Sequence, residues 1–168
     1  VPIVRMLNLK ENTKSTLVVE SAITDVLKSL DLKTCGYSGL MLPILEDTTL
    51  AARAMEGRYS ISDLLLFSSV CGTGLDTLPI PGDTKPEQIG SIYLDLCALA
   101  VSLDKPLTAR LMPLEGKQAG DVISFDFPYF ASTTIMELRG PGSGPLLAKS
   151  DWLGEDTTLS RTKSRGTT

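Results

Sequence analysis

The chain has no histidine among its 168 residues. That absence removes Ser–His and Cys–His nucleophile pairs, imidazole metal ligands and imidazole acid–base work. Any chemistry falls to carboxylates, thiols, hydroxyls, Lys, Arg, backbone amides or another polypeptide. Cysteine is scarce: three residues, at 35, 71 and 97. An odd count at wide spacing excludes a disulfide framework and the close Cys pairs that zinc prefers. Reduced thiols in a cytoplasmic protein are expected, two of them as core filler. Long apolar runs are missing too. The longest, such as Leu64–Phe67, fall far short of the ~18 residues of a membrane span. No basic segment followed by an apolar one marks a secretory leader. Val1 stands where Met would, which fits loss of an initiator Met or excision from a longer precursor. Positive charge is in deficit, with a net charge of −4. A nucleic-acid partner needs a basic face, so none is expected, and no membrane partner either.

What is present suits one ordinary globular domain. Apolar residues make up 42% and charged residues 21%, enough to bury a core. The charge is uneven. Residues 1–138 carry 11 Lys and Arg against 17 Asp and Glu, whereas residues 139–168 carry five against three. From Arg139 the run Gly140-Pro141-Gly142-Ser143-Gly144-Pro145 reads as a linker. Beyond it, 154–168 reads as a disordered tail, with Trp152 either docking it or standing exposed.

Within 1–138 helical and extended patterns alternate. Residues 14–30 recur at three and four through Leu17, Val18, Ser21, Ala22, Asp25, Val26 and Ser29. Thr34–Ser38 reads as a short strand. Pro43 is placed in the first turn of a helix over 42–56, stopped by Gly57. Ser60 with Asp63 forms a capping box for a helix over 61–70. Cys71–Thr84 holds three Gly and two Pro in fourteen residues. It reads as a shaped loop with a short strand at 77–80. Thr84 with Glu87 predicts a second capping box, for a helix over 86–103. One face of that helix carries Ile89, Ile92, Tyr93, Leu96, Leu99, Ala100 and Leu103. Strands follow at 108–114 and, despite Pro128, at 124–134. The class is α/β, but three or four short strands are few for a closed sheet.

Several residues could carry chemistry. Cys71 opens the Gly-rich segment, where backbone amides would lower a thiol pKa. A buried small residue at a helix end is the plainer alternative. Gly72 and Gly74 flank Thr73 and could cradle an anion, although no Walker lysine follows; a tight turn is the simpler role. Glu46, Asp47, Asp76 and Asp83 could bind a divalent cation through oxygen or supply an acid–base pair. Adjacent Glu46 and Asp47 cannot both face one way on a helix. Asp83 fits a helix-end role. Arg110 interrupts an apolar strand and, if inward, needs an anionic partner. The catalytic candidates are therefore Cys71, Asp76, Glu46 and Arg110. Ser38, Gly72, Thr73, Gly74 and Asp47 are the candidate ligand-binding residues.

Three strings carry a resemblance: Gly36-Tyr37-Ser38-Gly39-Leu40-Met41-Leu42-Pro43-Ile44-Leu45-Glu46-Asp47; Val70-Cys71-Gly72-Thr73-Gly74-Leu75-Asp76 with Pro81-Gly82-Asp83-Thr84; and Lys105-Pro106-Leu107-Thr108-Ala109-Arg110-Leu111. In this order they resemble the C-terminal part of the uncharacterised DUF711 family, over roughly 14–138. The resemblance implies part of an α/β barrel similar to the pyruvate formate-lyase type of glycyl radical enzyme. A missing N-terminal region or companion chain would complete it; a homo-oligomer is the second choice. Val1–Leu9 and Phe125–Phe130 are the apolar stretches expected at that interface. Bacterial members carry a Phe-Gly-Gly-Leu-Leu-Gly-like stretch where this chain has Phe125-Asp126-Phe127-Pro128-Tyr129-Phe130. Gly36-Tyr37 lacks the Arg-Val that precedes a glycyl radical glycine, and here Gly precedes the candidate Cys. No radical is expected at Gly36. The functional expectation is a small-molecule site around Cys71 for an anionic or carbonyl-bearing ligand. The alternative is a non-catalytic subunit that completes a barrel.

Overall fold

A computed structural model describes residues 16–140 of the chain. The readings on Val1–Leu9, Trp152 and the tail lie outside them. Helix α1 is Thr16–Ser29, close to the span its spacing predicts. Its faces are reversed, however. Glu20 and Thr24 are buried, whereas Val18 is 71% exposed and Val26 also faces solvent. Hydrophobic spacing forms the helix, but tertiary packing selects the face turned inward. Thr34–Ser38 makes no strand; the stretch is exposed up to Tyr37 and turns at Gly36, φ +69°.

Helix α2 is Thr48–Met55, shorter than the expected 42–56. Pro43 is not in its first turn. It bridges Asp76 in parallel fashion, and Ile44 N–H donates to Asp76 O at 3.1 Å. The helix starts where Asp47 accepts from the Thr49 and Leu50 amides, and Gly57 at φ +66° follows its end. Helix α3, Ile61–Phe67, carries the expected Ser60/Asp63 capping box but stops three residues early.

The largest correction falls on 71–84. Strand β1 spans Gly74–Pro81, across both prolines. Every residue from Cys71 to Ile80 is buried. The loop reading failed because pairing from both sides outweighs Gly and Pro propensity. Strand β2, Thr108–Leu114 as expected, flanks β1 on one side. Pro43 and the Met136 amide, which donates to Pro79 O, lie against it too. Helix α4, Pro86–Leu103, joins the two parallel strands as expected. The Thr84/Glu87 box does not form: Lys85 is the N-cap, and only the reverse arm is present, Lys85 N–H donating to Gln88 Oε1 at 3.1 Å. Thr84 Oγ1 instead donates to Pro81 O. Ile92 and Leu96 are buried and Ile89 packs beside them, but Tyr93 and Leu103 are exposed.

The long strand expected at 124–134 is absent. Short β3, Val122–Ile123, and β4, Thr133–Thr134, pair antiparallel. Between them Pro128 interrupts the extended run, and Phe125 and Phe127 each stack edge-on against Phe130. One core lies where β1 meets α2, α3 and α4; a second, around Leu45, Ile123 and Ile135, lies under the aromatic loop. The class is α/β, and the two two-stranded sheets close no barrel among the described residues. No described helix is long and apolar enough to cross a membrane.

Candidate functional site

The β1–β2 register slips between Leu75 and Leu78, so Asp76 and Thr77 together oppose Arg110. This is a β-bulge, a device that re-aims side chains and is common beside functional sites. Thr77 sits at φ +47°, which a β-branched residue rarely adopts. Its Oγ1 accepts the Leu45 amide at 3.2 Å, while Asp76 O accepts that of Ile44. The strained bulge thus fixes the turn that delivers Glu46.

Arg110 bridges two carboxylates. Its Nε donates to Asp76 Oδ1 and its Nη2 to Glu46 Oε1, the latter at 3.1 Å. Asp76 is only 2% exposed, whereas the Arg110 side chain is 54% exposed. The clamp is anchored inside and opens outward. The Asp76 hydrogen bond, opposed by partial desolvation, pushes the guanidinium above its already high range. A guanidinium has five N–H donors, so some remain for a third oxygen. Two carboxylates and one guanidinium leave one surplus negative charge.

The structure therefore unites Glu46, Asp76 and Arg110. Asp47, by contrast, caps α2. Cys71 is fully buried, and its Sγ accepts the Gly74 amide at 3.1 Å. The Gly72 amide donates to Leu40 O at 2.6 Å, so neither glycine offers its N–H to an anion here. Gly72 instead permits close approach: a Cβ there would lie 2.6 Å from Gly39 Cα. Ser38 lies half-buried on the strand of chain leading to that contact. Asp83 accepts from Gln118 Nε2 at 3.2 Å. Of the three thiols only Cys71 is core; Cys35 and Cys97 are exposed, which corrects the expectation of two. No group of three Cys, Asp or Glu that could hold a metal exists among the described residues. A groove lies elsewhere, between α3, α4 and Glu137–Arg139.

A second polar cluster was missed in the sequence. Glu20 on α1 is 3% exposed, and neither carboxyl oxygen has a hydrogen-bond partner among the described residues. Burial pushes its carboxyl up to about 8, against the opposing pull of Lys105. Lys105 Nζ donates to Ser68 O at 2.9 Å. Burial pulls the Lys105 ammonium down, with Cys71 and Glu20 opposing and Lys28 assisting. Thr73 Oγ1 is likewise buried and unpartnered. The available signal was Glu20 itself, a lone carboxylate within Leu17-Val18-Val19-Glu20 and one helical turn from Thr24. Thr77 gave none, since only pairing creates the bulge.

Residues 3–133 match the family model described as "Uncharacterised ACR (DUF711)". A "UPF0210 protein" of Pyrobaculum aerophilum is 38% identical over 114 residues, covering 68% of this chain and 25% of the relative. One from Oleidesulfovibrio alaskensis is 38% identical over 109 residues, 65% of this chain and 23% of the relative. One from Listeria innocua is 26% identical over 141 residues, 82% of this chain and 31% of the relative. These matches span only about a quarter to a third of the relatives' length. No solved structure matches the chain.

Proposed function

The chain belongs to the uncharacterised DUF711 family, and from that premise we propose that it supplies part of an enzyme-like α/β barrel with a small-molecule site at Arg110. The observation that carries this is the Glu46–Arg110–Asp76 clamp, built on a strained bulge and open to solvent at the guanidinium. Strain of this kind persists where the surroundings over-determine it, and it gathers at ligand-binding sites. The surplus negative charge favours a carbonyl-bearing ligand over a fully anionic one. A free guanidinium N–H would donate to the carbonyl oxygen, and Glu46, the more exposed carboxylate, would handle a proton. A cation would have to displace Arg110, so the clamp supports metal binding less well.

Ligand-observed NMR on the 168-residue chain tests this reading, with pyruvate, acetone and inorganic phosphate as probes. Pyruvate or acetone should bind, and Arg110→Lys should weaken that binding about tenfold, since lysine keeps the charge but loses the planar fork. Carbonyl binding that survives Arg110→Lys, or no binding at millimolar probe, defeats it.

A second reading is a non-catalytic portion that completes a barrel with companion polypeptide. It draws on the outward apolar residues of α1, on a β2 paired only to β1 among the described residues, and on the greater length of the relatives. Unpaired parallel edges call for cover. Sedimentation decides: a folded, ideal monomer of 18.0 kDa speaks against it.

A further inference from the structure

The cluster under α1 is independent of the Arg110 clamp. Glu20 and Thr24 lie one turn apart and form the buried face of α1. Thr24 Oγ1 accepts the Leu40 amide at 3.2 Å, and Gly39 packs on Gly72 beside the Thr24 methyl group. Gly72 directly follows Cys71. This helix therefore packs beside the Gly39–Gly72 contact, next in the chain to a fully buried thiol, with Leu17, Glu20 and Thr24 turned toward the body. Its link to the body, 31–37, is exposed and irregular, a tether that lets the helix move.

The groups around Glu20 decide what holds the cover. Among the described residues Lys105 is the cation facing it, but its Nζ is bonded to Ser68 O, and no hydrogen bond from them reaches either Glu20 oxygen. Cys71 faces Lys105 from β1's approach, and Lys28 adds like charge from α1. A protonated Glu20 adds no buried negative charge to the seam, and Lys105 keeps its bond to Ser68 O. An ionised one would be a buried carboxylate without a hydrogen bond, which water stabilises only if the helix lifts. We propose that α1 is a proton-controlled cover over the Cys71 thiol, closed while Glu20 carries its proton and loosened when Glu20 ionises. Burial favours the protonated form up to about pH 8. Mildly alkaline conditions therefore open the seam and expose Cys71 to thiol-reactive molecules.

Thiol labelling of the whole chain tests the cover. Cys35 and Cys97, both exposed, are first replaced by Ser so that Cys71 alone reports. The probe is 4,4′-dithiodipyridine, at pH 6.5 and pH 9.0, on this background with and without Glu20→Gln. Both proteins have the same thiol, so their ratio cancels its own ionisation. At pH 6.5 both should label slowly and alike. At pH 9.0 the Glu20 protein should label about tenfold faster, because its carboxyl is then mostly ionised while Gln stays neutral. A ratio constant with pH overturns the proposal, including the case where Lys105 swings to pair with ionised Glu20 and keeps the seam shut. If Glu20→Gln does not fold, hydrogen exchange of α1 amides in the unmodified chain replaces it. Protection, corrected for intrinsic rates, should fall between pH 6.5 and 9.0; unchanged protection is equally decisive against the cover.

Discussion

Asp76 and Glu20 are buried to nearly the same depth, 2% and 3% exposed, yet they meet opposite surroundings. Asp76 lies in β1 with a guanidinium on one oxygen. Glu20 lies on α1 with no hydrogen bond on either. A carboxylate at a given depth can thus be an anchored charge or a neutral acid, and the neighbouring strand or helix decides which. The difference also separates roles. The partnered site is anchored by an ion pair and opens outward, whereas the unpartnered site is buried, with its carboxyl pushed up by burial.

Removing the partner should produce the largest change. Arg110→Met strands Asp76 as an unpaired buried charge and should cost about 3–5 kcal/mol by chemical denaturation. A loss below about 1 kcal/mol would mean that Asp76 is hydrated, and the contrast with Glu20 would collapse. Leu96→Ala supplies the apolar yardstick for that loss. At 4% exposure on α4, it should destabilise by about 2–5 kcal/mol at every pH.

Glu20→Gln should be smaller and depend on pH. The Glu20 carboxyl rises from 4.5 to about 8 on folding. Its folded-state contribution is therefore fully present below pH 4.5, declines as pH rises and is lost by about pH 8. Across that window the wild type should lose about 1–2 kcal/mol relative to Glu20→Gln, with water at the seam screening part of the cost. Parallel stability curves for the two proteins would show that Glu20 is already solvated. Glu46→Gln should be the smallest effect, below about 1 kcal/mol, because both members of that pair are partly exposed. A larger loss would make Glu46 as essential to the bulge as Asp76.

The sequence was most legible where signals are local. Ser60 and Asp63 announced α3, and Pro86 with the spacing of Ile89, Ile92 and Leu96 announced α4 to the residue. Thr108–Leu114 read as a strand and is one. Legibility failed where partners are distant. Pro43 was read as a helix start because nothing nearby reveals its pairing with Asp76, thirty-three residues on. Glu46, Asp76 and Arg110 were named as residue types able to act together, but their meeting depends on the bulge. Glu20 and Lys105 were not paired because they stand eighty-five residues apart and meet only when α1 packs on the body.

By itself the sequence determined the α/β class, α3 from its capping box, α4 from its apolar spacing, and the absence of imidazole from these residues. Each follows from residues close in the chain or from composition. Tertiary structure decided that a Gly- and Pro-bearing segment becomes the buried central strand, that Thr77 accepts a positive φ, and that α1 turns Glu20 rather than Val18 inward. Those outcomes depend on contacts between residues far apart in sequence. Their energies outweigh the tenths of a kcal/mol to about 1 kcal/mol that local propensity contributes at each position.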